Sequence, residues 1–274
     1  MADGTTTETG TARIAAAFNA ARDQGRTALM PYLMGGFPDQ ETATAVAGAY
    51  ADAGADLIEL GVPFSDPLAD GPTIHAADTA ALAAGATLET VLETCAAVGG
   101  RLPVALMVYA NMVLIRGVEE FGRLAADAGA SGVIVPDLPL EEQGEVATEL
   151  SDHGLALIPL VAPTTPPPRR AEICAGAHGF VYLVSTVGVT GEREELPAEL
   201  SDLIAAAKSE ASVPVAVGFG ISTPEHAAKV GEVADGVIIG TRLVREVADA
   251  PDRDAAVSGV SAFLRETLAA LSQD

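Results

Sequence analysis

Glu59 stands inside an apolar run, DLIELGV (56–62), and the loop behind it carries Asp66 before a proline and Asp70 before Gly71-Pro72. A carboxylate buried in a strand without a partner is costly to keep charged. Its pKa rises toward neutrality, where one group can both deliver and remove a proton. The plain structural alternative is a glutamate paired with an arginine or with backbone donors in the core. Asp66 and Asp70 read equally well as turn starters, because Asp-Pro and Asp-Gly favour turns. Any chemistry run from this segment is acid–base chemistry by carboxyl groups.

Two further segments put glycine between a strand and a helix: VGFGIS (217–222) and IIGTRL (238–243). Gly220 and Gly240 let backbone N–H groups approach a ligand, and a helix N-terminus behind them favours an anion such as phosphate. Tight turns required by geometry alone would look the same. STVGVTGEREE (185–195) has two glycines, two threonines and no large apolar anchor, so it reads as a lid over substrate or as an inert surface loop.

Other chemistries find no residues to run on. The four histidines (His75, His153, His178, His226) lack metal-ligand spacing, and no nucleophile elbow is present. Lysine occurs only at Lys208 and Lys229, both in helical patterns, which removes the strand-end lysine of a Schiff-base aldolase. PTTPPPRR (163–170) fits the first turn of a helix.

The elements that must position these groups are short apolar runs separated by amphipathic ones. Strand candidates are 28–34, 56–62, 103–109, 131–137, 155–161, 179–185, 213–219 and 236–240. They are apolar throughout rather than alternating, as in strands covered on both faces. Gly54, Gly129, Gly154 and Gly179 precede strands and fit left-handed helix C-caps. About eight such units in 274 residues predict a closed α/β structure, a (β/α)8 TIM barrel, with an open doubly wound sheet as the alternative. Residues 73–99 have room for two helical pieces, and 252–271 reads as an added terminal helix. Residues 1–11 read as a disordered tail and 12–274 as one barrel domain.

The formal net charge of −23, from 15 basic and 38 acidic residues, argues against nucleic acid or an anionic membrane as a partner. No stretch reads as a signal peptide or a membrane span, so a cytoplasmic location is expected. The separated Cys95 and Cys174 read as small buried hydrophobes.

ELGVPFSDPLADGP (59–72) resembles the signature of the tryptophan synthase alpha subunit family. MPYLMGGFPD (30–39), MVYANMV (107–113), VPDLPLEE (135–142), VYLVSTVGVTG (181–191) and VGFGIS (217–222) resemble its other blocks in order. The resemblance spans roughly residues 12–270 and implies a lyase that cleaves indole-3-glycerol phosphate into indole and glyceraldehyde 3-phosphate. It implies Glu59 and Asp70 as the catalytic pair, Tyr32 and Tyr182 beside the indole, and Gly191, Gly220, Gly240 and Thr241 at the phosphate. Thr190 matches the lid threonine. Asp66, Pro67, Asn111, Asp137 and Pro139 match positions near the interface with a beta subunit in an α2β2 heterotetramer. Pyridoxal phosphate would belong to that partner, leaving this chain without metal or cofactor. Another phosphate-binding barrel enzyme of the pathway would share the glycine turns without needing the 59–72 block. A non-catalytic regulatory subunit would have no need of Glu59 and Asp70.

Overall fold

The computed structural model describes residues 8–184, 198–218 and 220–272. Its strands are β1 (Ala28–Met34), β2 (Ile58–Gly61), β3 (Val104–Met107), β4 (Gly132–Ile134), β5 (Ala156–Ile158), β6 (Leu160–Val161), β7 (Val181–Val184), β8 (Val215–Gly218) and β9 (Gly236–Ile239). Every neighbouring pair is parallel, in the order β5-β4-β3-β2-β1-β9-β8-β7-β6. The two ends of that order, β5 and β6, are separated in sequence only by Pro159. Proline has no N–H to give a ladder, so the run 155–161 breaks there; the Pro159 carbonyl still accepts the Tyr182 N–H at 3.0 Å. One interrupted strand thus bonds to β4 on one side and β7 on the other, and the sheet closes as a (β/α)8 barrel.

The helices are α1 (Gly10–Asp23), α2 (Gln40–Asp52), α3 (Pro72–Ala83), α4 (Leu88–Gly99), α5 (Ala110–Arg116), α6 (Val118–Asp127), α7 (Gln143–Asp152), α8 (Pro167–Ala175), α9 (Ala198–Glu210), α10 (Pro224–Gly231), α11 (Thr241–Asp249) and α12 (Arg253–Leu271). The two pieces expected within 73–99 are α3 and α4, and the added terminal helix is α12. The boundary expected at residue 11 moves, because α1 begins at Gly10 with Thr9 as its cap, and Gly10 itself is buried. Gly54, Gly129 and Gly154 do end helices in the left-handed conformation, each followed by a residue bonding back across the turn (Ala55 to Tyr50, Ala130 to Ala125, Leu155 to Leu150). Gly179 has the same positive φ but lies beyond the end of α8, so it turns a loop rather than capping a helix. No single helix among the described residues is long and apolar enough to cross a membrane.

Two apolar clusters follow from the closure. One lies between the barrel wall and the helices. The other fills the barrel and includes Met30, Ala105, Ala156, Phe180, Tyr182, Ala216 and Ile238. Ile14 and Phe18 of α1 belong to this inner cluster, with the Phe18 ring 5.7 Å from that of Phe180. The first helix therefore plugs the barrel, and Arg13 fastens it by donating to the carbonyls of Gly99 and Gly129. Cys95 and Cys174 are buried and unpaired.

Alternation along the strands decides which side chains look inward toward the open end. Tyr32, Glu59 and Ala105 are in register across β1, β2 and β3. Ile58 and Leu60 join the outer cluster, leaving Glu59 between them on the inner face. Two positions farther along the strands stand glycines, Gly61 and Gly218. A Cβ at Gly61 would lie 2.8 Å from Tyr32 Cζ, and one at Gly218 would lie 2.6 Å from Tyr182 Oη. The two phenols lean over these glycines toward the barrel mouth. Gly61→Ala is expected to destabilise the fold by about 1–3 kcal/mol through overpacking and to displace Tyr32. Urea unfolding measures it, and an unchanged midpoint would mean the ring has room to move aside.

Candidate active site

Glu59 is 2% exposed, and its Oε2 has no hydrogen-bond partner. Among the described residues no arginine, lysine or histidine pairs with it, so the arginine-paired alternative does not hold. Burial pushes its carboxyl up to about 8; hydrogen bonding from Tyr182 opposes this, and the charge of Asp70 adds to it. A carboxyl so tuned is a proton donor at neutral pH that becomes a base once its proton has gone. Tyr32 and Tyr182 are themselves held far from ionisation, by burial first and by the neighbouring carboxylates second. They supply apolar faces and hydroxyl donors, not charge.

Asp70 sits on the loop between β2 and α3, not on a strand, and must be held by other elements. Tyr109, the N-cap residue of α5, does this twice. Its hydroxyl donates to Asp70 Oδ2 at 3.0 Å and accepts the Ala69 N–H at 3.0 Å. Burial raises the Asp70 pKa, while the Tyr109 bond and the charge of His75 pull it back. The Phe64 ring stacks on Tyr109 with centroids 5.1 Å apart, and the Phe64 N–H donates to Asp78 Oδ1 at 3.1 Å. Neither Tyr109 nor Asp78 was singled out from sequence. Tyr109 follows β3 at the C-terminal end, where barrel chemistry collects. Asp78 falls among Ile74, Ala77 and Ala81 on the core stripe of α3, a carboxyl where spacing calls for an apolar residue.

The glycine turns divide. Gly220 has φ 44° and open space where a Cβ would stand, so its backbone is accessible in a left-handed turn. The helix behind it, α10, is already capped, because Thr223 Oγ1 accepts the His226 N–H at 3.2 Å. The other helix, α11, starts at Thr241 after Gly240 with no side-chain cap. Its first N–H groups remain available to an anion. Gly240 also backs onto Tyr32, so the start of α11 lies beside that ring. Thr190, Gly191 and the rest of the expected lid lie outside the described residues.

Asp66, Pro67, Asn111, Asp137 and Pro139 all fall on the rim, in the segments after β2, β3 and β4. Asp137 has a structural task there: its Oδ1 accepts the Ala110 N–H at 2.8 Å and so caps α5 from the next loop. Apolar side chains break the same rim, with Leu68 90%, Ile115 79% and Leu114 57% exposed. These were not singled out from sequence, because exposure of a Leu or Ile cannot be read from its type.

This arrangement has known counterparts. The family model described as tryptophan synthase alpha chain matches residues 18–271. The tryptophan synthase alpha chain of Chloroflexus aurantiacus is 46% identical over 264 residues, covering 95% of this chain and 99% of the relative. That of Carboxydothermus hydrogenoformans is 49% identical over 234 residues, covering 85% and 88%. Among solved structures, tryptophan synthase of Mycobacterium tuberculosis superposes with a TM-score of 0.88 at 36% identity, covering 96% of this chain and 99% of that one. The alpha subunit from Legionella pneumophila superposes at 0.86 and 35% identity, covering 94% and 98%. With a closed barrel, a buried glutamate at its mouth and matches along nearly its whole length, the chain belongs to the tryptophan synthase alpha chain family, a lyase-type catalytic subunit of tryptophan biosynthesis.

Proposed function

We propose that the chain cleaves indole-3-glycerol phosphate to indole and glyceraldehyde 3-phosphate by a retro-aldol step run on two carboxyl groups. The observation that carries this reading is Glu59, a buried carboxyl without a cation and with its pKa near 8. Glu59 begins protonated and delivers its proton to C3 of the indole ring, which becomes an iminium cation. Asp70, ionised, accepts the ring N–H and stabilises that cation. Glu59, now a carboxylate, removes the proton of the adjacent glycerol hydroxyl. The C–C bond breaks, its electrons flow into the iminium, the hydroxyl carbon becomes the aldehyde, and Glu59 regains its proton. The cycle is balanced in protons and electrons and calls on no metal or cofactor in this chain.

Tyr32 and Tyr182 flank the indole in this reading, and Gly220, Gly240, Thr241 and Gly191 hold the phosphate, with Thr190 on the lid. Free N–H groups at the start of α11 support an anion there, and they do so locally in a chain of net charge −23. The residues fit a cytoplasmic α2β2 heterotetramer in which a pyridoxal-phosphate beta subunit consumes the indole. Asp66, Pro67, Asn111, Asp137 and Pro139 would lie at that contact, with exposed Leu68 and Ile115 as its apolar anchors. A non-catalytic subunit is the poorer reading, because keeping Glu59 protonated at pH 7, above its ordinary pKa of 4.5, costs the fold about 3 kcal/mol, a penalty that mere folding has no reason to carry.

Supplying indole-3-glycerol phosphate to the purified chain and following indole, with and without a beta subunit, tests the reading. Slow release alone and strong activation in complex are expected. Glu59→Gln should lower kcat by about 10²–10⁴-fold and Asp70→Asn by about 10²–10³-fold, with the circular-dichroism spectrum unchanged. Normal turnover in either variant would show the acid–base group to be misassigned. Ile115→Asp should keep the slow solitary rate and lose most of the activation, and full activation in that variant would remove α5 from the docking surface.

A further inference from the structure

Asp78 is a buried carboxyl to which the cleavage above gives no task. It lies in the middle of α3, 1% exposed, on the face that carries Ala77 and Ala81. Aspartate is a poor helix-interior residue, and burial works against its charge. That burial pushes its carboxyl up to about 7, with the Phe64 N–H pulling it down and the charge of Asp70 adding. Only Oδ1 is engaged, by the Phe64 N–H; Oδ2 is buried without a partner. An apolar side chain would suit the helix better, so the reason for Asp78 lies in what it holds.

It holds the loop that carries Asp70. Among the described residues, two side chains from outside that loop hydrogen-bond to it: Asp78, at Phe64, and Tyr109, at Ala69 and Asp70. The two tethers meet, because the Phe64 ring is stacked on the Tyr109 ring at 5.1 Å. Shifting the Phe64 backbone shifts the surface against which Tyr109 packs, and the Tyr109 hydroxyl is the donor to Asp70. Glu59 needs no such device, since a strand paired on both sides fixes it.

We propose that Asp78 is a positioning residue for the cleavage: it anchors Phe64 and, through the Phe64–Tyr109 stack, sets the Tyr109 hydroxyl on Asp70. Its effect on turnover rests on the lyase reading; the mechanical link from Phe64 to Ala69 does not.

Amide hydrogen exchange and indole release, measured on the full chain, separate the two. Asp78→Ala should speed exchange about tenfold at Phe64 and also at Ala69, whose N–H bonds to Tyr109 and not to Asp78. Asp78→Asn keeps an acceptor and should return both amides toward the parent rate. In turnover, the alanine variant should lose about tenfold in kcat with KM little changed, and the asparagine variant should recover most of it. Faster exchange confined to Phe64, or parental turnover in the alanine variant, overturns the proposal. If the parent releases no indole, the lyase reading fails while the exchange pattern still decides this one. Should Asp78→Ala not fold, Tyr109→Phe approaches from the other end: faster exchange at Phe64 supports the coupling, and unchanged exchange there overturns it.

Discussion

The structure depends on keeping one carboxyl out of water without giving it a cation. Glu59 faces into a closed parallel barrel, where its environment offers phenol rings, alkyl groups and one hydroxyl donor. A partnering arginine would stabilise the fold and fix the carboxylate as a permanent anion. Leaving the partner out sacrifices stability as pH rises from 4.5 to about 8 and leaves a proton that can be moved. Barrel closure makes this tolerable. Strand β2 is bonded to β1 and β3, the side-chain position is imposed by alternation, and the plug formed by Ile14 and Phe18 packs the far end of the interior.

The second acidic group is built on the opposite principle. Asp70 belongs to a loop, keeps access to the cavity mouth and is oriented by a bond from Tyr109 at the start of α5, with α3 holding the same loop at Phe64, rather than by a ladder. Tyr109 steadies its charge and its place together. The phosphate end of the proposed site would use a third device, backbone dipole without side-chain charge, where α11 begins after Gly240 without a cap. On the proposed reading, local dipoles acting over a few ångströms let a chain of net charge −23 hold a phosphate that its overall field would repel.

Much of this was legible in the residues. Apolar strands separated by helical runs gave the barrel, because burial on both faces leaves a compositional trace. Glu59 was legible for the same reason: charge inside an apolar run is an anomaly that can be seen without coordinates. The break at Pro159 was written in the run LALIPLV but passed as one strand, since only the pairing shows that its halves bond to different neighbours. Gly179 was read as a helix cap because its spacing to the next strand matched the others, whereas α8 ends earlier, at Ala175. Tyr109 was hidden by its type, as a tyrosine after a strand is ordinary until its hydroxyl is located. Asp78 carried a signal that helical periodicity exposes and that a search confined to strand ends passes over.

The proton shuttle requires Glu59 to be neutral in the folded chain at pH 7. Folded, the group holds its proton until about pH 8; unfolded, it lets go near the ordinary 4.5. Its contribution to stability is therefore complete below pH 4.5 and is lost as pH rises through 8. Carboxyl titration by ¹³C NMR of glutamate-labelled protein, with Glu59→Gln to assign the signal, measures this directly. A midpoint near 8 is the result predicted. A midpoint near 4.5 would make Glu59 a permanent carboxylate, and the proton shuttle built on it would fall.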